Sequence, residues 1–152
     1  METARKIVEV KNNAIVFVLI VTVFFLSMAA ADCNHPPVSK NELKIISAQI
    51  AGNKADGRNW DLIPRAPDPF IKLFIGGELL FQTSIQTDTY TPFWNEKTTI
   101  SYKKGVSIRI EVWDKDAVVN DLIGTWEGRD LPGEELSFGQ VKVLILSLNP
   151  LK

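Results

Sequence analysis

Cysteine and histidine are almost missing from this sequence. Cys33 is the only thiol and His35 the only imidazole in 152 residues. No intrachain disulfide can form, and no cysteine-based zinc centre can be assembled. His35 sits in a Pro-flanked polar stretch and reads as a solvated loop residue. An excess of positive charge is missing too. Seventeen Lys and Arg face eighteen Asp and Glu, a net −1. Setting aside the first thirty-one residues, with Arg5, Lys6 and Lys11 against Glu2 and Glu9, moves the balance one unit further negative. Such a chain has no electrostatic case for nucleic acid. It also meets anionic lipid poorly unless a bound cation supplies positive charge. There is no Asp-Thr-Gly, no Asp-Ser-Gly and no Ser–His pairing. Carboxylate pairs alone, with no substrate cleft suggested in so small a chain, do not make a hydrolase, so no enzymatic activity is expected.

The composition that remains is globular, 45% hydrophobic and 23% charged, and the length suits one domain. The only long apolar run is Ala14 to Leu26, behind a basic-biased start and ahead of Ser27-Met28-Ala29-Ala30-Ala31. That order is the order of a secretory signal, with cleavage favoured after Ala31. Counted through Ala31 the segment reaches membrane-spanning length, so residues 1–31 read as a signal peptide or an N-terminal membrane anchor, an apolar helix in either case. The location expected is therefore extracytoplasmic: secreted, periplasmic or in the cell envelope. Cys33 lies just past the small residues, where bacterial lipoproteins are acylated, although Asp32 precedes it where such signals carry a small residue. Lipidation and a free thiol in a flexible leader are the two readings. Residues 32–41, with Pro36-Pro37, read as a linker.

From Glu42 to the end no helical period stands out, and short β-rich runs alternate with turn clusters. The runs are 42–50, 70–75, 79–87, 94–102, 106–113, 122–127 and 141–148. In 106–113, Ile108, Ile110 and Val112 share one face while Ser107, Arg109 and Glu111 share the other. Seven or eight short strands in about 110 residues point to an antiparallel β-sandwich.

Two loops combine carboxylates with apolar residues. Asp114, Asp116 and Asp121 fall within eight positions around Ala117-Val118-Val119, and Asp56, Asp61 and Asp68 share a long break with Trp60, Leu62 and Ile63. Carboxylates are hard ligands, so a site built from them suits Ca²⁺ better than zinc, copper or iron. An EF-hand is excluded, because Val118 falls where its next oxygen ligand belongs and its glycine is missing. Loops at one end of a sandwich cluster, so the two sets can meet. Apolar tips beside them make sense if Trp60, Leu62, Ile63, Val118 and Val119 enter a membrane; the alternative is that they fold back onto the sandwich.

Three stretches carry a family resemblance. Asp68-Pro69-Phe70-Ile71-Lys72-Leu73 resembles the Asp-Pro-Tyr-Val-Lys-Val signature of the C2 domain, and Thr91-Pro92-Phe93-Trp94-Asn95-Glu96 is similar to its Asn-Pro-x-Trp-Asn-Glu motif. Ile110 to Asp116, followed by Asn120-Asp121-Leu122-Ile123-Gly124, resembles its third calcium loop and next strand. The order and spacing match across about residues 42–150. The resemblance implies an all-β, eight-stranded antiparallel sandwich over 42–152, of the permuted type II topology suggested by the run at Val141. It also implies a Ca²⁺ site of Asp61, Asp68, Asp114, Asp116 and Asp121, with Asp56 in reserve because the first loop is longer than usual. The function implied is calcium-dependent docking on phospholipid membranes. The alternative is an envelope protein–protein module that calcium only stiffens. The lysine-rich strand used for phosphoinositides is replaced by Phe81 to Thr87, which holds no basic residue.

Overall fold

The structure is a computed structural model that describes residues 38–60, 66–130 and 132–152. The signal or anchor segment, Cys33, Asp61, Leu62 and Ile63 lie outside the described residues. Eight strands follow in chain order: β1 Val38–Ile50, β2 Pro69–Ile75, β3 Glu78–Gln82, β4 Phe93–Lys103, β5 Ile108–Asp114, β6 Asp121–Gly128, β7 Glu135–Phe138 and β8 Val141–Pro150. They form two four-stranded sheets, ordered β4-β1-β8-β7 and β3-β2-β5-β6, and every pairing is antiparallel. No helix occurs among the described residues. The expected eight-stranded antiparallel sandwich is what the chain forms.

The alternation read in the sequence sets the core. In β5, Ile108, Ile110 and Val112 point inward and are essentially inaccessible, meeting Ile71 and Leu73 of β2. Each such side chain contributes about 1.5–3 kcal/mol by burial. The inward face of β1 changes phase, from Leu43 and Ile45 to Ala48 and Ile50, because a bulge falls between Ile45 and Ser47.

Three sequence expectations change. The linker assigned to 32–41 ends sooner, since β1 begins at Val38, where pairing with Lys103 and its neighbours in β4 orders a polar stretch. The run 79–87 is strand only to Gln82. Thr83 turns inward, and its hydroxyl accepts the Ile71 N–H at 2.9 Å, which takes the following residues out of the ladder. The short β7 is absent from the runs read in sequence; only its pairing with β8 makes four half-polar residues a strand.

Candidate functional site

The antiparallel register decides which loops meet. The C-terminal end of β5 lies beside the N-terminal ends of β2 and β6, with Asp114 opposite Pro69 on one side and Asp121 on the other. The described parts of the connections, 51–60 and 66–68, 83–92 and 115–120, therefore gather at one end of the sandwich. Main-chain hydrogen bonds tie them together: Thr89 N to Pro67 O at 2.9 Å, Lys115 N to Asp68 O at 3.0 Å, and Gln86 N to Pro69 O at 2.9 Å. The turn after β7 joins the same end, where Gln140 N donates to Ile123 O and Ala51 N donates to Gln140 O.

Asp114 is the next inward position after Ile108, Ile110 and Val112, so strand alternation itself carries a carboxylate into the sheet end, where it is 1% exposed. Its Oδ1 accepts the Asp68 N–H at 2.7 Å. The Asp68 Oδ1 in turn accepts the Asp88 N–H at 2.6 Å, and the Asp88 carboxylate accepts the Ala66 N–H at 2.9 Å. Asp88 holds a positive φ of 51°, which Asp tolerates better than most residues. Asp116 sits at the neck of the third loop, where its N–H donates to Asn120 Oδ1 at 3.2 Å. Lys115 Nζ donates to the same oxygen and to Asp116 O, so the turn is closed at its base. Val118 and Val119 then project as its tip, 93% and 72% exposed.

Asp121 and Asp56 each carry a basic partner. Asp121 Oδ2 takes an ion pair from Lys54 of the first loop. Asp56, the reserve ligand, is bound by Arg58, whose Nε lies 2.6 Å from its Oδ2. The Arg58 backbone N–H, followed by the guanidinium, holds the Asp56 carboxyl below its ordinary range. Asp56 is thereby turned to its own loop.

Trp60 departs from its expected place at a membrane-facing tip. It is 3% exposed, part of the core, and its indole N–H donates to Ala51 O at 2.8 Å. An apolar body with one satisfied polar tip is well suited to burial, so Trp60 anchors the first loop to the sandwich and is not available to insert. Trp94 and Glu96, from the motif at Thr91–Glu96, clasp the second loop: Trp94 Nε1 donates to Ser84 O, and Glu96 accepts from the Ser84 N–H and hydroxyl.

These residues fit an oxygen-seeking divalent cation in donor chemistry and in backbone placement. Asp68, Asp114 and Asp121 occupy neighbouring strand ends, with Asp116 two residues on. Their carboxylates do not close into a cage as they stand. Among the described residues no group of three or more His, Cys, Asp and Glu side chains is placed to hold a metal ion. The Asp121 carboxylate is committed to Lys54 and that of Asp68 to the Asp88 amide.

A sandwich of this topology, with acid-bearing loops gathered at one end, defines a class, and comparison with known proteins gives the same one. The C2 domain family model matches residues 39–132, well over half of the sequence, and the chain belongs to that family. The chain is 34% identical over 64 residues to "GTPase activating protein 1" of Oryza sativa, a match that covers 41% of this chain and 38% of the rice protein. Its fold resembles the calcium-bound tandem C2 domains of Extended-Synaptotagmin 2, with a TM-score of 0.60 at 23% identity over 75% of this chain and 46% of that one. It also resembles human GIVD cytosolic phospholipase A2, with a TM-score of 0.61 at 20% identity over 77% of this chain but 17% of that enzyme. These two likenesses are of fold alone.

Proposed function

We propose that this chain is an exported calcium-binding module that docks on phospholipid through the loops at the Asp114 end of the sandwich. The observation that carries the reading is the adjacency of Asp68, Asp114 and Asp121 at three neighbouring strand ends, beside the solvent-exposed tip Val118-Val119. Asp116 would complete the third-loop ligands and Asp61 those of the first. When bound, Ca²⁺ supplies positive charge and open coordination positions for phosphate oxygens. The chain's own part is to hold the carboxylates on a rigid sheet end and to present Val118 and Val119 to the bilayer, with Leu62 and Ile63 of the first loop as further candidates. The leader at 1–31 supports an extracytoplasmic location, where calcium is plentiful and a weak site suffices; Cys33 is the candidate for lipid attachment.

Co-sedimentation of the full chain with phosphatidylcholine–phosphatidylserine vesicles, in Ca²⁺ and in chelator, tests this. Binding should increase with Ca²⁺; equal binding in both conditions counts against it. Replacing Val118 and Val119 by Ser should weaken that calcium-dependent increment about tenfold or more, because each inserted side chain contributes about 1.5–3 kcal/mol. Calcium affinity measured by calorimetry should stay unchanged in this variant.

A second reading, an envelope protein–protein module with calcium only stiffening the loops, is favoured by the edge strand β3, where Leu79 and Leu80 are about half exposed. Calcium binding without vesicle binding would select it.

A further inference from the structure

Lys54 stands out among the residues at the apex because it comes from the first loop and pairs with an acid 67 residues away. Its side chain is largely covered, 19% exposed, and its ammonium lies over the Trp60 ring at 5.8 Å from the centroid. The loop that carries it is braced: Trp60 donates to Ala51 O, and Lys54 N donates to Arg58 O at 2.9 Å. The ammonium is thus delivered to Asp121 Oδ2 by an ordered loop. It reaches the carboxylate that sits opposite Asp114 across the β5–β6 ladder.

We propose that Lys54 is a tethered cation that occupies the Asp121 arm of the site and must be displaced when a divalent ion binds. The inference rests on the calcium reading above and adds a competitor built into the chain. Calcium takes carboxylate oxygens at about 2.3–2.6 Å. An ammonium on the same carboxylate both screens that oxygen and repels the ion. With Lys54 in place, Asp121 is compensated and the calcium-free loops are held together. With Lys54 displaced, Asp121 is released to the ion and an extra positive charge is freed at the lipid-facing end. An open cleft of about 300 Å³ lies beside the pair, lined by Lys54, Trp60, Asp121 and Gln140 among others, and gives room into which the ammonium can move.

Calorimetric titration of the full chain with CaCl₂ tests this, comparing the parent with Lys54→Met, which keeps an unbranched side chain without the charge, and with Lys54→Gln as a second neutral variant. Melting curves in chelator establish that each folds. Both variants should bind Ca²⁺ roughly three- to thirtyfold more tightly than the parent at low ionic strength, with the gap narrowing in salt. Ca²⁺ binding by the parent with equal or weaker affinity in the folded variants overturns the role of Lys54 and leaves the calcium reading standing. No Ca²⁺ binding by the parent or either variant overturns both.

Discussion

Asp114→Asn is expected to fold and to lose calcium affinity by roughly a hundredfold, since one full charge leaves the ligand set at a site shielded from water. The buried Asp114 does two jobs that substitution by Asn and by Ala separates. Its Oδ1 accepts the Asp68 N–H at 2.7 Å, and in the calcium reading proposed above its buried charge would attract the ion. Asparagine keeps an oxygen at that position, so in chelator the melting temperature should stay near that of the parent. Asp114→Ala removes the acceptor as well and leaves a covered N–H unsatisfied, at about 1–3 kcal/mol. That variant should melt lower in chelator, and both variants should lose the rise in melting temperature that Ca²⁺ gives a binding-competent chain. Parent-like calcium affinity in Asp114→Asn would remove Asp114 from the site.

Gly139→Ala should be among the most damaging small substitutions in the chain. Gly139 turns β7 into β8 at a φ of 53°, and a Cβ there would lie 2.8 Å from Gly124 Cα and 2.9 Å from Ile123 O. Both are backbone atoms, so no side chain can swing aside. The same turn carries the Gln140–Ile123 hydrogen bond, which joins the two sheets, and the Ala51–Gln140 hydrogen bond, which ties the end of β1 to the start of β8 next to the first loop. The strained φ alone costs about 1–3 kcal/mol, and with the clash a fall in melting temperature of roughly 10–20 °C is expected. Gly133→Ala, at a position with nothing within 4 Å and no positive φ, should change little. Equal melting of the two variants would show that the close approach of β6 to the β7–β8 turn does not hold the sheets together.

The residues legible in sequence are those whose neighbours along the chain decide their place. Period-two alternation from Ile108 to Val112 locates β5, whereas the burial of Asp114 one step further shows only once β2 and β6 flank it. The clustering of Asp114, Asp116 and Asp121 around a short apolar turn places Val118 and Val119 at an exposed tip. Where the partner is remote, the local pattern is silent. Val38 to Asn41 look like linker until β4 pairs with them, and Glu135–Phe138 have no strand pattern until β8 lies alongside. Trp60 resembles an exposed loop aromatic until Ala51 O takes its N–H. Asp88 has only a turn cluster to signal it; its amide matters because the second loop closes onto Asp68.

By itself, then, the order of residues determined the strand alternation, the all-oxygen chemistry of the acidic loops and the shape of the third-loop tip, because each depends on spacings of a few residues. Only the closed sandwich decided that Lys54 meets Asp121 and that Trp60 is covered, because contacts between a loop and the rest of the fold depend on how the strand ends bring them together.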